Sequence, residues 1–372
     1  AGQACYGLGL AFHMIWVTAL IKLTSFFPMG KRKHEEVSLF LLQLSWRLSL
    51  LFAPWMRFEA AEDYFDQWNL VMNLMAESDA EAAKKGEKPR PLFILGNHTS
   101  FLDTVLAVCK FPTQILVRCR TYMDHHLFKL PILSTICRAV GHFPVYFHSN
   151  AEGAFKVDAQ RMEAVEQRVD EHLNTSGWLC FFPEGAMNKD PDTVLPFRYG
   201  GMKRALEFDA VLAMFVAHNN PVVWPRKSKV GGFPGTVRYS LRPISPHTAR
   251  KFVEMARAEG DPKAVMDAFF KHHDIWPKAR KNYIFFNCMG LDDPAKVTNH
   301  LGLHYHVQSG VAQHNKDMIR AWAEEMQEKD MPDHEVLARR LHELMQSQYD
   351  ALAKRAEKEG GGKASLPSKK AD

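Results

Sequence analysis

Cysteines are few in this chain, and nothing pairs them. Six thiols in 372 residues, at Cys5, Cys109, Cys119, Cys137, Cys180 and Cys288, form no Cys-x-x-Cys pair and no dense framework. That spacing excludes a disulfide-stapled scaffold and points to buried thiols in a reduced compartment. Charge of one sign is also scarce, since 47 Lys and Arg against 42 Asp and Glu leave +5. The cations fall in short groups, Lys31-Arg32-Lys33, Lys84-Lys85, Arg226-Lys227 and Lys369-Lys370. A nucleic-acid groove needs one concentrated stripe, so this scatter suits an anionic membrane surface or anionic ligand and argues against nucleic acid. A mean hydropathy of −0.26 excludes a many-pass membrane protein and predicts a soluble main body. His125-His126, His272-His273-Asp274 and His304-Tyr305-His306 lack a third ligand at fixed spacing, so they read as surface or structural histidines and no metal is expected. The chain opens on Ala1, which fits removal of an initiator Met or of a longer presequence.

The length accommodates one catalytic domain of about 200 residues with terminal additions. Residues 5–21 carry no formal charge, and a second apolar run extends from Val37 to Met56 with Arg47 inside it. Together, residues 1–56 predict a helical hairpin. Each run is near the lower limit for crossing a bilayer, so shallow insertion from one face competes with spanning and with a pair of core helices. Trp16, Phe26, Phe27, Trp46 and Trp55 sit near segment ends or polar breaks, as interfacial anchors do. Residues 57–90 read as a solvated helical linker ending in the breaker region Gly86 to Pro91.

From Pro91 to about residue 246 short apolar runs alternate with helical stretches: LFIL (92–95), QILV (114–117), FPVYF (143–147), WLCFF (178–182), VLAMFV (211–216) and VRYSL (237–241). The alternation predicts an α/β domain, a sheet flanked by helices with its chemistry at strand-to-helix turns. Residues 247–357 predict a helical extension in which Val336, Leu337, Leu341, Leu344, Met345 and Leu352 form one apolar face, packed on the domain or on a protein partner. Residues 358–372 have the composition of a flexible basic tail that also offers a partner surface.

Two turns carry the chemistry. Gly96-Asn97-His98-Thr99-Ser100-Phe101-Leu102-Asp103 follows LFIL directly and precedes an apolar helix. Of the 18 histidines, His98 alone has an Asp five residues on. An imidazole presented there serves as a general base, and a carboxylate one turn later fixes its tautomer. Phe182-Pro183-Glu184-Gly185 ends the run WLCFF and leads to Pro196-Phe197-Arg198-Tyr199-Gly200-Gly201. Pro and Gly shape a loop whose N–H groups suit an oxyanion or phosphate, with Glu184 available to hydroxyls or a cation.

In order and context, NHTSFLD, GHFPVYF (141–147), FPEG and PVVWP (221–225) resemble the four-block pattern of the glycerol-3-phosphate and lysophospholipid acyltransferase family. The resemblance covers roughly residues 90–245, and the hairpin is similar to the two-helix membrane element of bacterial members. It implies an acyltransferase-type mixed sheet in which His98, held by Asp103, deprotonates a lysophospholipid or lysophosphatidate hydroxyl for direct attack on acyl-CoA. That thioester is a co-substrate, and no bound cofactor is implied. Asn97, Ser100, Phe143, Pro144, Glu184 and Gly185 are then expected around the acceptor, and Pro221, Val222, Val223 and Pro225 on the acyl-donor side. Block two usually ends in Arg, where this chain has Phe147, so Arg198 or Lys203 is expected to replace the missing cation. After FPEG the chain continues Ala186-Met187-Asn188, closer to tafazzin-like transacylases that work without CoA. An organelle membrane, endoplasmic reticulum or mitochondrial, is the expected location. An acyltransferase fold serving as accessory subunit of a larger membrane assembly is the remaining alternative.

Overall fold

The computed structural model describes residues 2–149, 155–190, 192–257 and 331–358. The histidine groups at 272–274 and 304–306, Cys288 and nearly all of the basic tail lie outside the described residues. In chain order the elements are α1 (Gly2–Thr24), α2 (Lys31–Ser49), β1 (Met56–Ala60), α3 (Tyr64–Lys85), β2 (Leu92–Gly96), α4 (Leu102–Lys110), α5 (Thr113–Leu116), β3 (Cys119–Arg120), β4 (Tyr122–Asp124) and α6 (Leu133–Ala139). There follow β5 (Phe143–Val145), β6 (Phe147–Ser149), β7 (Phe155–Val157), α7 (Ala159–Asn174), β8 (Trp178–Phe181), α8 (Tyr199–Glu207), β9 (Val211–His218), α9 (Asn220–Val223), β10 (Gly235–Thr248), α10 (Ala249–Arg257) and, last, α11 (Asp333–Lys358).

A six-stranded mixed sheet in the order β1-β10-β9-β2-β8-β3 forms the centre. β9, β2, β8 and β3 run parallel, while β10 is antiparallel to β9 and parallel to β1. The three central parallel strands, β9, β2 and β8, carry near-continuous apolar runs because helices cover both faces. Alternation along the strands shows which helices. Phe215 and Tyr239 turn their rings toward Phe111 and Tyr64 on the α3 and α4 face. On the opposite face, His218 meets Tyr349, and Ser240 meets Gln348, both of α11. The expected mixed α/β architecture is therefore present, with an apolar amino-terminal helix and a carboxy-terminal helix.

Three local expectations are corrected. QILV forms the helical turn α5 rather than a strand, with Ile115 and Leu116 buried; a four-residue apolar run does not distinguish strand from helix by periodicity. The edge strand of that region is Cys119–Arg120. FPVYF breaks into β5 and β6, which belong to two separate two-stranded sheets. Residues 57–90 are no detached linker: Met56–Ala60 is a sheet strand paired with Gly235–Tyr239. α3 buries Tyr64, Trp68, Val71, Leu74 and Met75 at helical spacing, despite its charged average composition.

The hairpin lies on the domain. Ser45 of α2 donates to the His13 carbonyl of α1 at 2.9 Å. Helix α4 ends with carbonyls that lack intrahelical donors, and α2 supplies them. The Gln43 amide donates to the Val108 and Phe111 carbonyls at 2.8 and 2.9 Å, and Arg47 donates to the Cys109 carbonyl at 2.8 Å. Arg47 thus interrupts the apolar run because it closes a helix end. Among the described residues α1 alone has the length and apolar composition to cross a bilayer. The outer face of the hairpin leaves Leu8, Phe12, Ile15, Leu23, Phe40 and Leu44 exposed, and its connecting loop exposes Phe26 at 83% and Phe27 at 58%.

The predicted apolar face of α11 exists, and the domain occupies it. Leu337, Leu341, Leu344, Met345 and Leu352 are buried, and burying each such side chain contributes about 1.5–3 kcal/mol.

Candidate active site

Because β8, β2 and β9 are parallel neighbours, their carboxyl ends lie side by side, the edge at which ligands of such sheets bind. Three turns converge there. β2 leads into Asn97-His98, β8 into Phe182-Pro183-Glu184, and β9 into Asn219-Asn220. Asn219 has φ +73°, a left-handed turn that Asn tolerates, and it redirects the chain so that Asn220 faces α4.

His98 is held on every side but one. Its Nδ1 lies 3.0 Å from Asp103 Oδ2. The same oxygen accepts from the backbone N–H groups of Thr99 and Ser100 at 2.6 and 2.8 Å, while Oδ1 accepts from the Asn220 amide. Asp103 is 3% exposed, and with four donors on it the carboxylate has no freedom to turn from the imidazole. An acceptor at Nδ1 assigns the proton to that nitrogen and leaves the Nε2 lone pair available. Among the described residues no group bonds Nε2, and the side chain is 19% exposed. The Phe182 ring stacks on the imidazole at 4.1 Å with an interplanar angle of 9°. Gly96 makes this possible, because a Cβ there would stand 3.0 Å from the Phe182 ring.

Glu184 holds the backbone of the same turn. One oxygen accepts from the His98 N–H at 2.6 Å and the other from the Leu195 N–H at 2.8 Å. The Asn188 N–H returns a bond to the His98 carbonyl at 2.6 Å. Burial pushes the Glu184 carboxyl up to about 8, against the two backbone donors, which favour the ionised form. α11 supports the loop from behind: Val194 N–H donates to Gln346 at 2.8 Å, and His342 Nε2 lies 2.9 Å from the Val194 carbonyl. Gly185 has φ +69°, and a Cβ there would meet the Arg198 side chain at 2.7 Å, so the exposed Arg198 lies folded over the FPEG turn.

Several residues expected to touch an acceptor are instead buried supports. Asn97 is 2% exposed and clamps Ala217 through both its amide atoms, at 2.8 and 2.9 Å. The Ser100 hydroxyl donates to the Trp224 carbonyl at 2.6 Å. Glu184 is 2% exposed with each oxygen on a backbone N–H group, so it positions the turn from within the fold. Phe143 and Pro144 are buried in the β4–β5 pair, where the Phe143 ring packs against Tyr122 and His172. Asn188 is buried at 3%, its amide on the Thr193 carbonyl. Lys203 is exposed on α8 with His334 in its field. In the PVVWP block, Pro221, Val222 and Pro225 are half-buried, whereas Val223 is fully buried. That block packs under α4 through Phe101 and Trp224, whose rings lie 5.0 Å apart.

Sequence reasoning missed the roles of Asn220, Leu195 and the Phe182 ring. Asn219-Asn220-Pro221 at a strand end was a visible turn signal, but its partner is 117 positions away. For His125-His126 the structure adds Asp124, whose carboxylate oxygen and their ring nitrogens lie within 4.8 Å of one another. Asp124 also accepts from the His126 N–H at 2.9 Å.

Residues 79–220 match the family model described as Acyltransferase, so this part of the chain is similar to that family. A comparison with curated proteins finds no match. One similar solved structure is the 1-acyl-sn-glycerophosphate (LPA) acyltransferase PlsC from Thermotoga maritima. It shares 14% sequence identity with a TM-score of 0.44, over 74% of this chain and 96% of that one.

Proposed function

We propose that the protein is a membrane-associated O-acyltransferase that moves a fatty acyl group from acyl-CoA to the hydroxyl of a lysophospholipid. The observation that carries this reading is the imidazole of His98, tethered at Nδ1 by a fully engaged Asp103 and open at Nε2. Nε2 accepts the proton of the lipid hydroxyl as its oxygen attacks the thioester carbonyl. The C–S bond then breaks, and the imidazolium returns the proton to the departing thiolate. No acyl-enzyme is formed. Phe182 restricts the ring plane, and Glu184 holds the backbone from which the ring projects, so little reorganisation precedes attack.

The exposed apolar face of the hairpin supports membrane attachment, which delivers a lipid acceptor from the bilayer surface. Arg198 over the FPEG turn is the cation positioned to meet the acceptor phosphate in place of the Arg that Phe147 replaces. The test is incorporation of labelled oleoyl-CoA into a panel of lysolipids by wild type and His98→Ala. Loss of roughly 10²- to 10⁴-fold is expected for the variant. Equal turnover by the two would remove His98 from the reaction. Acyl exchange without added thioester would replace the donor with a phospholipid, and no turnover with any lysolipid would favour an accessory role.

A further inference from the structure

A second polar feature lies at the opposite ends of the same strands. Gly177, just before β8, and Val117 and Arg118, just before β3, line a cleft of about 190 Å³ together with the start of α2 and part of α7. Catalysis is read at the carboxyl ends of β2, β8 and β9, so this cleft, at the amino ends of β3 and β8, is a separate place. Lys31, Arg32, Arg118, Arg120 and Arg168 line it with the carboxylates Glu35 and Glu171. Glu36 pairs with Arg32 at 3.3 Å, Asp79 faces Arg118, and Arg118 donates to the Ser176 carbonyl, so Lys31 and Arg168 are the cations that keep the excess positive charge. Neighbouring His172 adds no charge near neutrality, because burial and Arg120 hold it low, at about 4.

Arg120 is 2% exposed, donates to Glu35 at 3.0 Å and to the Val117 and Cys119 carbonyls at 2.9 Å, and keeps one N–H, at Nε, without a hydrogen-bond partner among the described residues. Helix α2 starts here with Gly30 as its cap, which supplies no side-chain bond to the first free N–H groups. Such an end favours an anion. The cleft is thus an anion-binding arrangement with a buried guanidinium at its base. Its source of anions is indicated by the loop that precedes it: Phe26 and Phe27, exposed at 83% and 58%, stand only a few residues before Lys31 and Arg32. Aromatic side chains beside cations are the composition of a bilayer interface.

We propose that this cleft binds the phosphate of an anionic phospholipid headgroup, with Phe26 and Phe27 entering the bilayer beside it. The site is regulatory or anchoring and lies apart from the acyl acceptor. Lys31 and Arg168 are exposed, so replacing them leaves the fold intact. The experiment measures sedimentation of the full chain with phosphatidylcholine vesicles, with and without phosphatidylglycerol, for wild type and Lys31→Gln/Arg168→Gln. A matched pair, Lys251→Gln/Lys354→Gln, removes the same charge elsewhere.

The cleft pair is expected to lose about twentyfold in affinity for phosphatidylglycerol vesicles, with phosphatidylcholine binding unchanged. The matched pair should change by less than about twofold. Equal losses in both pairs, or none in the cleft pair, would overturn the site. Calorimetry with inorganic phosphate separates the two sources of phosphate. Heat that the cleft pair abolishes, without any difference on vesicles, would make this a soluble-phosphate site and overturn the lipid assignment. Vesicle binding is read without chemistry, so its result is independent of the acyl-transfer reading.

Discussion

The two ends of the parallel strands organise polar groups in opposite ways. At the carboxyl ends the two carboxylates are fully engaged, Asp103 with four donors and Glu184 with two, and the Nε2 of His98 has no partner among the described residues. At the amino ends five cations line a cleft with two carboxylates, with Glu36 and Asp79 beside them, and a buried guanidinium keeps an unused N–H. The first arrangement fixes one atom in place, which is what a proton transfer needs. The second creates a field, which attracts an anion without orienting it. Substitutions at the carboxyl edge should therefore change turnover and spare vesicle binding, and substitutions at the amino edge should weaken vesicle binding and spare turnover of a detergent-dispersed lysolipid.

The largest expected effect is that of Asp103→Asn. The amide keeps the volume of the carboxylate but loses its charge, so an imidazolium has no counter-ion, and an oxygen turned to His98, Thr99 and Ser100 leaves its NH2 against the amide donor of Asn220. In a Ser-His-Asp triad the same replacement costs about 10⁴ in kcat, and a loss of roughly 10³ to 10⁴ is expected here, with KM little changed. Acyl-transfer kinetics check this. A loss below about tenfold would mean that the carboxylate is a structural cap of α4 and no orienter of the base.

How much of this was legible beforehand depended on distance along the chain. His98 and Asp103 are five residues apart, within one turn of a strand-to-helix junction, and the sequence displays the pair directly. The apolar face of α11 and the strands Leu92–Gly96, Trp178–Phe181 and Val211–His218 were likewise visible as periodic or continuous apolar runs. Glu184 was legible as the acid of a strand-ending turn, but the partners of its carboxylate were not. Only the fold shows that both its oxygens face backbone donors from His98 and Leu195. Asn220 was invisible as a support because it acts on Asp103 from another strand. α3 was misread for a different reason: its average composition is charged, while its Tyr64, Trp68, Val71 and Met75 spacing is that of a core helix.

Acidification tests the same contrast through stability. Burial holds His142 down to about 3 and His172, His218 and His342 to about 4. His142 and His172 are lowered further by Arg120 of the amino edge. Between pH 6.5 and 5.5 the unfolded chain takes up protons that these folded histidines refuse, so stability falls as pH falls, by about 1 kcal/mol for each. Glu184, raised to about 8, and Asp350, raised to about 6, act in the opposite sense over this interval, because the folded state binds their protons more tightly. The net expectation is a loss of about 2 kcal/mol, read from urea melts at the two pH values. Stability that stays level or rises would mean that these histidines are protonated in the fold.

The smallest effect sharpens the comparison most, because it asks whether support from α11 reaches one edge alone. Gln346 accepts the Val194 N–H at 2.8 Å, next to Leu195, whose N–H holds Glu184. Removing that acceptor with Gln346→Ala leaves a part-buried donor unpaired and should cost about 1 kcal/mol, a fall of about 2 °C in Tm. The slack passes along Leu195 and Glu184 to the backbone of His98, so kcat should fall a few-fold while binding to phosphatidylglycerol vesicles stays as in wild type. Were kcat unchanged at the same loss in Tm, α11 would stabilise the sheet without tuning the carboxyl edge, and the turn that carries His98 would be held by Glu184, Asn188, Asn97 and Asp103 without help from α11.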